Sequence, residues 1–340
     1  MSQPVFYEPP THPTTDGMPV RGAPATLLDL DKVAAHVERA IQRRRYQGTP
    51  DPLDYLVQKH CLVELEGEQY TTVAGILCFG RNPQAFFPRA VVDIGHYRGS
   101  SAVSYEVVHL EKDVGGTIFD QLARVETYLW TNTHHGMTVP PGTFERVEIH
   151  EYPQIVIREL CVNMLAHRDY TINVSAARVM LFKNRIEWAS PGGLPPGVTV
   201  DNILNEQNSR NPLILTILYE AGYVEAFGQG LDTVVTVLQE EGLSPPTFRD
   251  TGSTFIVTAF GRAPDAFAND LYTQLSEPQQ KIIDMLRSRG QVSPQEIRDV
   301  LHDRSRRSIQ RDTSDLVEAK LIEVVGEGRA LRYRLRELAS

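Results

Sequence analysis

Glu159–Tyr170 reads ELCVNMLAHRDY, and the run before it, YPQIVIR (Tyr152–Arg158), is largely apolar. From Ile155 to Ala166 the apolar residues follow no single face, the pattern of a helix buried on most sides. Three polar residues break that pattern: Glu159, Asn163 and His167 recur every four positions and so share one stripe. A buried helix with one polar stripe faces something polar. Satisfied core hydrogen bonds, a domain interface and a ligand all remain open readings of the stripe alone.

His167-Arg168-Asp169 followed by Asn173 has the letters of a kinase catalytic loop, but that loop places its Asn five residues after the Asp and here the gap is four. The chain also lacks a kinase Gly-rich loop and a D-F-G site. Kinase activity is therefore not expected. Downstream, Ser190-Pro191-Gly192-Gly193-Leu194-Pro195 directly follows an expected strand, and Gly228-Gln229-Gly230-Leu231 opens an expected helix. Glycines admit phosphates close to the backbone, and amides at a helix start complement their charge. Each signal is weak alone; in this order behind the polar stripe they become specific.

Working outward, helices are predicted over TIFDQLARVETYLWTNT, PLILTILYEAG and GLDTVVTVLQEEG, with strands in SAARVMLFK, RIEWAS, PTFRD and TFIVTAF. PGGLPPGVTVDNILNEQNSRNP is too rich in Gly, Pro and Asn for a regular element and suits a binding loop or lid. Toward the N-terminus, LLDLDKVAAHVERAIQRRR is helical. DPLDYLVQKH holds a short helix, a turn follows at Glu66-Gly67-Glu68, an apolar segment ends in Phe79-Gly80, and a strand is expected around Ala90–Tyr97. GRAPDAFANDL has linker composition. Beyond it come three helices, in PQQKIIDMLRSRG, SPQEIRDVLH and SRRSIQRDTSDLVEAKLI, and a hairpin around Gly326-Glu327-Gly328, the order of a winged helix-turn-helix.

The bulk numbers narrow the function classes. A 340-residue chain with 41% hydrophobic and 23% charged residues is ordinary globular material, enough for two or three domains. No run has the length of a membrane span and the N-terminus lacks signal-peptide order, so the expected location is cytoplasmic, with no membrane partner. Cys61, Cys78 and Cys161 form no C-x-x-C or zinc spacing and read as core filler. His134-His135 and His150-Glu151 lack an H-E-x-x-H frame and read as solvent-facing. The net charge of -9 excludes coating nucleic acid with the whole surface, so DNA contact needs a local basic patch. One exists: Arg287–Arg336 holds twelve Lys or Arg against eight Asp or Glu. Arg304, Arg306, Arg307 and Arg311 cluster at the start of the third C-terminal helix, and Arg332 and Arg334 share a strand face beside the wing. These six are the candidate contacts to double-stranded DNA, and protein contact through a solvated basic face is the competing reading.

ELCVNMLAHRDY, IEWASPGGLP, SRNP and FGQGLDTV together resemble the RecG-C-terminal-like branch of the GHKL ATPases, and TTVAGILCFGRNPQAFFP resembles the latter part of a Schlafen AlbA-type domain. The resemblance spans most of residues 55–262. It implies a partial AlbA-type domain over 1–110 and a GHKL (Bergerat-type) two-layer α/β sandwich over 111–262; with the linker, over 263–275, and the winged helix, over 276–340, read from the residues above, the expected chain is an α+β multidomain protein. The resemblance also implies ATP and Mg²⁺ as cofactors. By position, Glu159 would be the general base for the attacking water and Asn163 would hold Mg²⁺ across the phosphates. Gly192 and Gly193 would bound the pocket, and Gly228 and Gly230 would offer amides to phosphate. Arg210 in the lid has the chemistry to neutralise developing charge. His167 and Asp169, flanking Arg168, belong to the branch's signature and are grouped with the nucleotide contacts without an assigned step; Asp169 is alternatively a loop cap.

Two departures stand out. The carboxylate that in most GHKL proteins meets the adenine amino group should lie at Ala189 or Ser190, and neither is acidic. The acidic and basic strand pattern that opens a complete AlbA-type domain does not occur at the start of this sequence, so nuclease activity is not carried over. Helicase activity is not expected either, because no G-x-x-x-x-G-K-[ST] loop occurs. Three functions follow in order: an ATP-binding, DNA-binding transcriptional regulator acting as a homodimer, with at most slow Mg-dependent hydrolysis; a nucleic-acid-stimulated ATPase in processing or defence; and a core without nucleotide, used for dimerisation.

Overall fold

The structure, a computed structural model, describes residues 14–65, 67–138, 147–206, 208–224, 230–263, 275–319, 321–326, 328 and 331–336. In chain order, β1 (Pro19–Pro24) leads into α1 (Leu30–Gln42) and α2 (Pro52–Gln58). The carboxylate of Asp51 starts α2 by accepting the Leu53 and Asp54 amides. Strands β2 (Leu62–Leu65) and β3 (Glu68–Thr72) follow, then α3 (Val73–Phe79). The apolar segment ending in Phe79-Gly80 is thus a helix, capped by the Thr72 hydroxyl on the Gly75 amide. All seven of its residues are buried, which erases the one-sided pattern by which a surface helix is recognised.

Next come β4 (Val92–Tyr97), β5 (Val107–Val114), α4 (Ile118–Asn132) and a hairpin of β6 (His135–Thr138) and β7 (Val147–His150). The chain continues through α5 (Gln154–Ala166), β8 (Ala177–Leu181), β9 (Arg185–Pro191), α6 (Pro212–Ala221), α7 (Gly230–Glu240), β10 (Thr247–Asp250) and β11 (Thr254–Phe260). The C-terminal elements are α8 (Glu277–Arg289), β12 (Gln291–Val292), α9 (Pro294–Val300), α10 (Arg306–Glu318), β13 (Ile322–Val325) and β14 (Arg332–Leu335).

Two compact units result. The first is drawn from the residues up to Thr133 and from Tyr152–Arg262, the second from His134–Glu151 and the chain from Ala263 onward. In the first unit a six-stranded mixed sheet runs β10-β11-β9-β8-β4-β5, with only β4 and β8 parallel. The boundary expected between residues 110 and 111 falls inside β5, which pairs with β4 and so belongs to the same sheet as β8 to β11. Ile94, Val179, Trp188 and Val257 form one register row across four strands, and all four are buried. That row is the floor on which the helices lie. α5 packs against α4, α7 and β9, which explains why its apolar residues point in all directions.

A smaller antiparallel sheet, β1-β3-β2, packs with α1, α2 and α3 in the same unit. Its tie to α6 is polar and buried: Glu220 of α6 accepts from Tyr55 at 2.6 Å and lies 2.5 Å from the Lys59 ammonium, while His36 contacts the Tyr55 hydroxyl at 2.8 Å. Burial alone would raise the Glu220 carboxyl, but its partners His36, Lys59 and Tyr55 outweigh it and the net direction is downward. At the other end of α6, Asp16 accepts the Leu213 and Ile214 amides at 2.8 and 3.1 Å. A residue from the Pro- and Thr-rich leading stretch thus caps a helix nearly two hundred positions away.

In the second unit α8, α9 and α10 pack with an antiparallel sheet of order β12-β14-β13 around a separate core that includes Ile282, Leu286, Ile297, Leu316 and Ile322. The hairpin expected around Gly326 and Gly328 joins β13 to β14, and both glycines have positive φ. In the other hairpin Glu151, a buried residue, accepts from the backbone amide of His134 and lies 2.7 Å from its ring nitrogen. This carboxylate pushes the His134 pKa up, while the His134 side chain stays about half exposed, so the solvent-facing histidine also has a buried carboxylate partner. No described helix is long and apolar enough to cross a membrane.

Candidate functional site

The polar stripe of α5 opens into a cavity of about 570 Å³ within the first unit. Its floor is Trp188, Ser190, Phe255 and Val257 of the sheet; α5, α6 and α7 contribute to its sides; and Leu194, Pro195, Val198, Ile203 and Leu204, from the chain between β9 and α6, also line it. Glu159, Asn163, His167, Gly192, Gly193 and Gly230 all line it. Residues separated by seventy positions in sequence therefore meet around one space.

Glu159 is 3% exposed, with Oε1 4.0 Å from the Arg158 guanidinium. One turn on, the Asn163 side-chain nitrogen is buried and has no hydrogen-bond partner among the described residues. Gly230, the first residue of α7, closes over both: a Cβ there would stand 2.9 Å from Glu159 Oε2 and 3.4 Å from the Asn163 nitrogen. A side chain there would have to push the Glu159 carboxylate aside, so the glycine lets α7 start close against the two polar groups. Gly228 lies outside the described residues.

The His-Arg-Asp triplet divides: Arg168 and Asp169 bond to neighbouring backbone, and His167 lines the cavity. Arg168, 1% exposed, donates to the carbonyls of Val91 and Ser175 at 3.0 and 2.9 Å and to that of Arg89, and so fastens the loop after α5 to the start of β4. Asp169 accepts from the Thr171 amide and hydroxyl, while its own amide donates to Pro191, and it does not line the cavity. That is the loop-pinning alternative for Asp169. His167 does line the cavity, and burial together with the Arg210 guanidinium pulls its pKa down to about 4. It is a neutral imidazole at pH 7.

Arg210 is held away from the cavity wall. Its guanidinium donates to Gly193 at 2.9 Å and His167 at 3.4 Å, both through backbone carbonyls, and lies 3.9 Å from Asp169. Gly192, at φ +102°, leaves it room: a Cβ there would stand 2.5 Å from the Arg210 guanidinium. Next to it, the buried Asn211 donates to the carbonyls of Ala166 and Arg168 and so caps the C-terminal end of α5. The S-R-N-P and H-R-D motifs are one hydrogen-bonded unit. Asn211 carries no local sequence signal for this cap, because its carbonyl partner lies 45 residues earlier.

At the sheet end of the cavity, alternation turns Ala189 to the opposite face and leaves Ser190 facing in. Its hydroxyl donates to the Met164 carbonyl at 2.7 Å, so its hydrogen is already committed. No lysine or arginine lines the cavity among the described residues, whereas Glu159, Glu206 and Asp232 do. Among the described residues no group of three or more His, Cys, Asp or Glu is arranged to hold a metal ion. The three cysteines are buried, and burial pushes the Cys161 thiol up to about 12, against the small lowering effect of the Trp188 indole that bonds it.

In the second unit, Arg304 is tied to Ser308 at 2.6 Å and Asp312 at 2.8 Å, Arg332 lies 3.5 Å from Glu296, and Arg334 pairs with Glu323. Arg306, Arg307 and Arg311 on α10 are exposed and have no carboxylate partner among the described residues. The six arginines grouped by sequence thus fall into two sets of three.

Residues 175–259 match the family model described as "Putative ATP-dependent DNA helicase recG C-terminal". Among solved structures, the DIP2311 protein of Corynebacterium diphtheriae is similar to this chain, with a TM-score of 0.58 and 19% sequence identity. That likeness covers 94% of this chain and 64% of the other, so the chain spans just under two thirds of its relative's length. No curated protein matches the chain. The matched stretch contains the Gly192-Gly193 turn, the cavity-lining residues between β9 and α6 and the start of α7, and it identifies a HATPase-like region that supports nucleotide binding in general.

Proposed function

We propose that the cavity binds ATP with Mg²⁺, in a Bergerat-type core, and that its occupancy controls DNA binding by the C-terminal module, a winged helix working in a homodimeric transcriptional regulator. The observation that carries the nucleotide reading is Gly230 set against Glu159 and Asn163, with a buried Asn163 nitrogen that no described residue satisfies. An orphaned buried donor beside a side-chain-free helix start suits a phosphate and its counter-ion. Bound Mg²⁺ would supply the positive charge that a cavity without Lys or Arg does not offer its phosphates. Asn163 would hold the ion through its side-chain oxygen, the Gly230 amide would donate to phosphate, and Glu159 would orient a water. Neutral His167 and Ser190 would meet the other end of the ligand.

With Arg210 committed to backbone carbonyls, no described cation is poised to stabilise charge developing in the cavity, which favours slow hydrolysis and a regulator over a fast motor. The helicase in the matched model's description is a statement about that family, and this chain has no P-loop. A second reading, a core that binds no nucleotide, is favoured by the committed Ser190 hydroxyl and the lack of a carboxylate beside it. Calorimetric titration with ATP and Mg²⁺ separates the two. Saturable binding by the parent chain that is lost in Asn163→Ala supports the nucleotide site. No heat up to millimolar ATP, with the chain folded, leaves the second reading.

A further inference from the structure

The outward face of α10 has a composition of its own. At roughly 100° per residue, Arg307, Gln310, Arg311 and Ser314 fall on one stripe, directly opposite the buried Ile309, Asp312, Thr313 and Leu316. All four outward residues are exposed. Arg289, Arg304, Arg332 and Arg334 in the same unit sit beside carboxylates, but Arg307 and Arg311 do not among the described residues. Two guanidiniums with no carboxylate partner among the described residues flank the Gln310 amide, the Ser314 hydroxyl follows, and the nearest exposed acid on the helix, Asp315, stands beside the stripe at the i+4 position from Arg311. A merely solvated basic face has no need of the amide between its arginines.

We propose that this stripe reads base edges in the major groove, and that its target is purine-rich: guanines opposite Arg307 and Arg311, with an adenine opposite Gln310 between them. The inference rests on the DNA-binding reading above and adds the identity of the bases. Arginine matches the two acceptors on the major-groove edge of guanine, and glutamine matches the acceptor and donor of adenine. The distance fits, since the four steps from Arg307 to Arg311 advance about 6 Å along the helix, close to the roughly 7 Å from the first to the third of three stacked base pairs. The stripe begins at the N-terminal end of α10, the end that approaches base edges in helix-turn-helix complexes. Ser305 caps that end by accepting the Ser308 amide, and Arg304 braces it through Ser308 and Asp312. Arg306, on the flank of the stripe, is left for phosphate.

The test is selection of the full-length chain on a randomised DNA duplex of about two helical turns, followed by affinity measurement on the enriched sequence and its single-base variants. The expected motif has G, A and G within one half-site. Gln310→Ala should erase the preference at the adenine position, worth between about fivefold and a hundredfold there, and leave the guanine positions alone. Arg306→Ala should weaken all duplexes alike and lower the salt slope by about one. Retention of duplexes without any enriched motif, or a motif unchanged by Gln310→Ala, overturns the inference and leaves the DNA-binding reading standing. Retention of no duplex at all overturns both. Tighter retention of double-stranded RNA also overturns it, because the narrow major groove of that helix does not admit an α-helix.

Discussion

At the scale of single residues, the cavity's unusual member is His167. Burial and the nearby Arg210 guanidinium hold its pKa at about 4, against about 6.5 for an unconstrained histidine. In the window between those values the unfolded chain takes up a proton that the folded chain refuses. Stability from this group is therefore complete above about pH 6.5, declines as the pH falls toward 4, and amounts to about 3 kcal/mol at most. Denaturant unfolding of the parent and of His167→Gln across pH 4 to 8 checks this. The difference between the two curves should carry a slope only inside that window, and a difference that is flat throughout would show that the imidazole is not buried neutral. Arg168, one residue on, does the opposite kind of work: it is charged, buried and bonded only to backbone carbonyls. The two neighbours show how one motif divides between a group that lines the cavity and a group that holds the loop.

At the scale of elements, the site depends on how closely α7 approaches α5. Placing Ala at Gly230 would put a Cβ 2.9 Å from the Glu159 carboxylate, so the carboxylate or the helix start has to move. Alanine is also the better helix former by up to about 1 kcal/mol. The expected outcome of Gly230→Ala is thus a split: ATP affinity falls by about tenfold or more, while the unfolding midpoint stays level or rises. Calorimetry and thermal unfolding on the same preparation check it, and parallel losses in both would mean that Gly230 matters for folding and not for the ligand. The elements around this contact were legible in the sequence because each carries a local signal: a four-residue polar period in α5, Gly-Gly after β9, and a glycine at the start of α7. Others left no such trace. β5, with the sequence VVHLEKDV, is an edge strand whose inward positions His109 and Glu111 are polar because they meet Tyr128 and Arg124 of α4, so its alternation is blurred. Asp16 caps α6 from a stretch with no periodicity, and Arg210 looks like a free lid cation until its carbonyl partners are seen. What sequence hides here is long-range polar pairing, whose partners lie tens to hundreds of positions apart.

At the scale of the whole molecule, the proposed function makes a quantitative demand. If nucleotide in the cavity of the first unit alters DNA binding by the second, the change is a coupling free energy and must be reciprocal. A factor by which ATP with Mg²⁺ raises or lowers DNA affinity must reappear as the factor by which DNA changes ATP affinity. Such couplings are typically about 5- to 150-fold, large enough to read by fluorescence anisotropy on the enriched duplex and by calorimetry with and without it. Equal factors in the two directions, both lost in Asn163→Ala, are the expected result. Two tight but independent affinities would mean that the units share a chain without sharing a switch, since a ligand shifts a conformational equilibrium only through its different affinity for the two states. The salt dependence provides the internal control. Electrostatic DNA contact weakens steeply with ionic strength, whereas a switch set by α6, α7 and the cavity-lining residues between β9 and α6 should change the affinity ratio little. A ratio that collapses along with the affinity as salt rises would place the effect in charge alone, the net negative charge left on Mg-bound ATP acting across a chain of net charge -9.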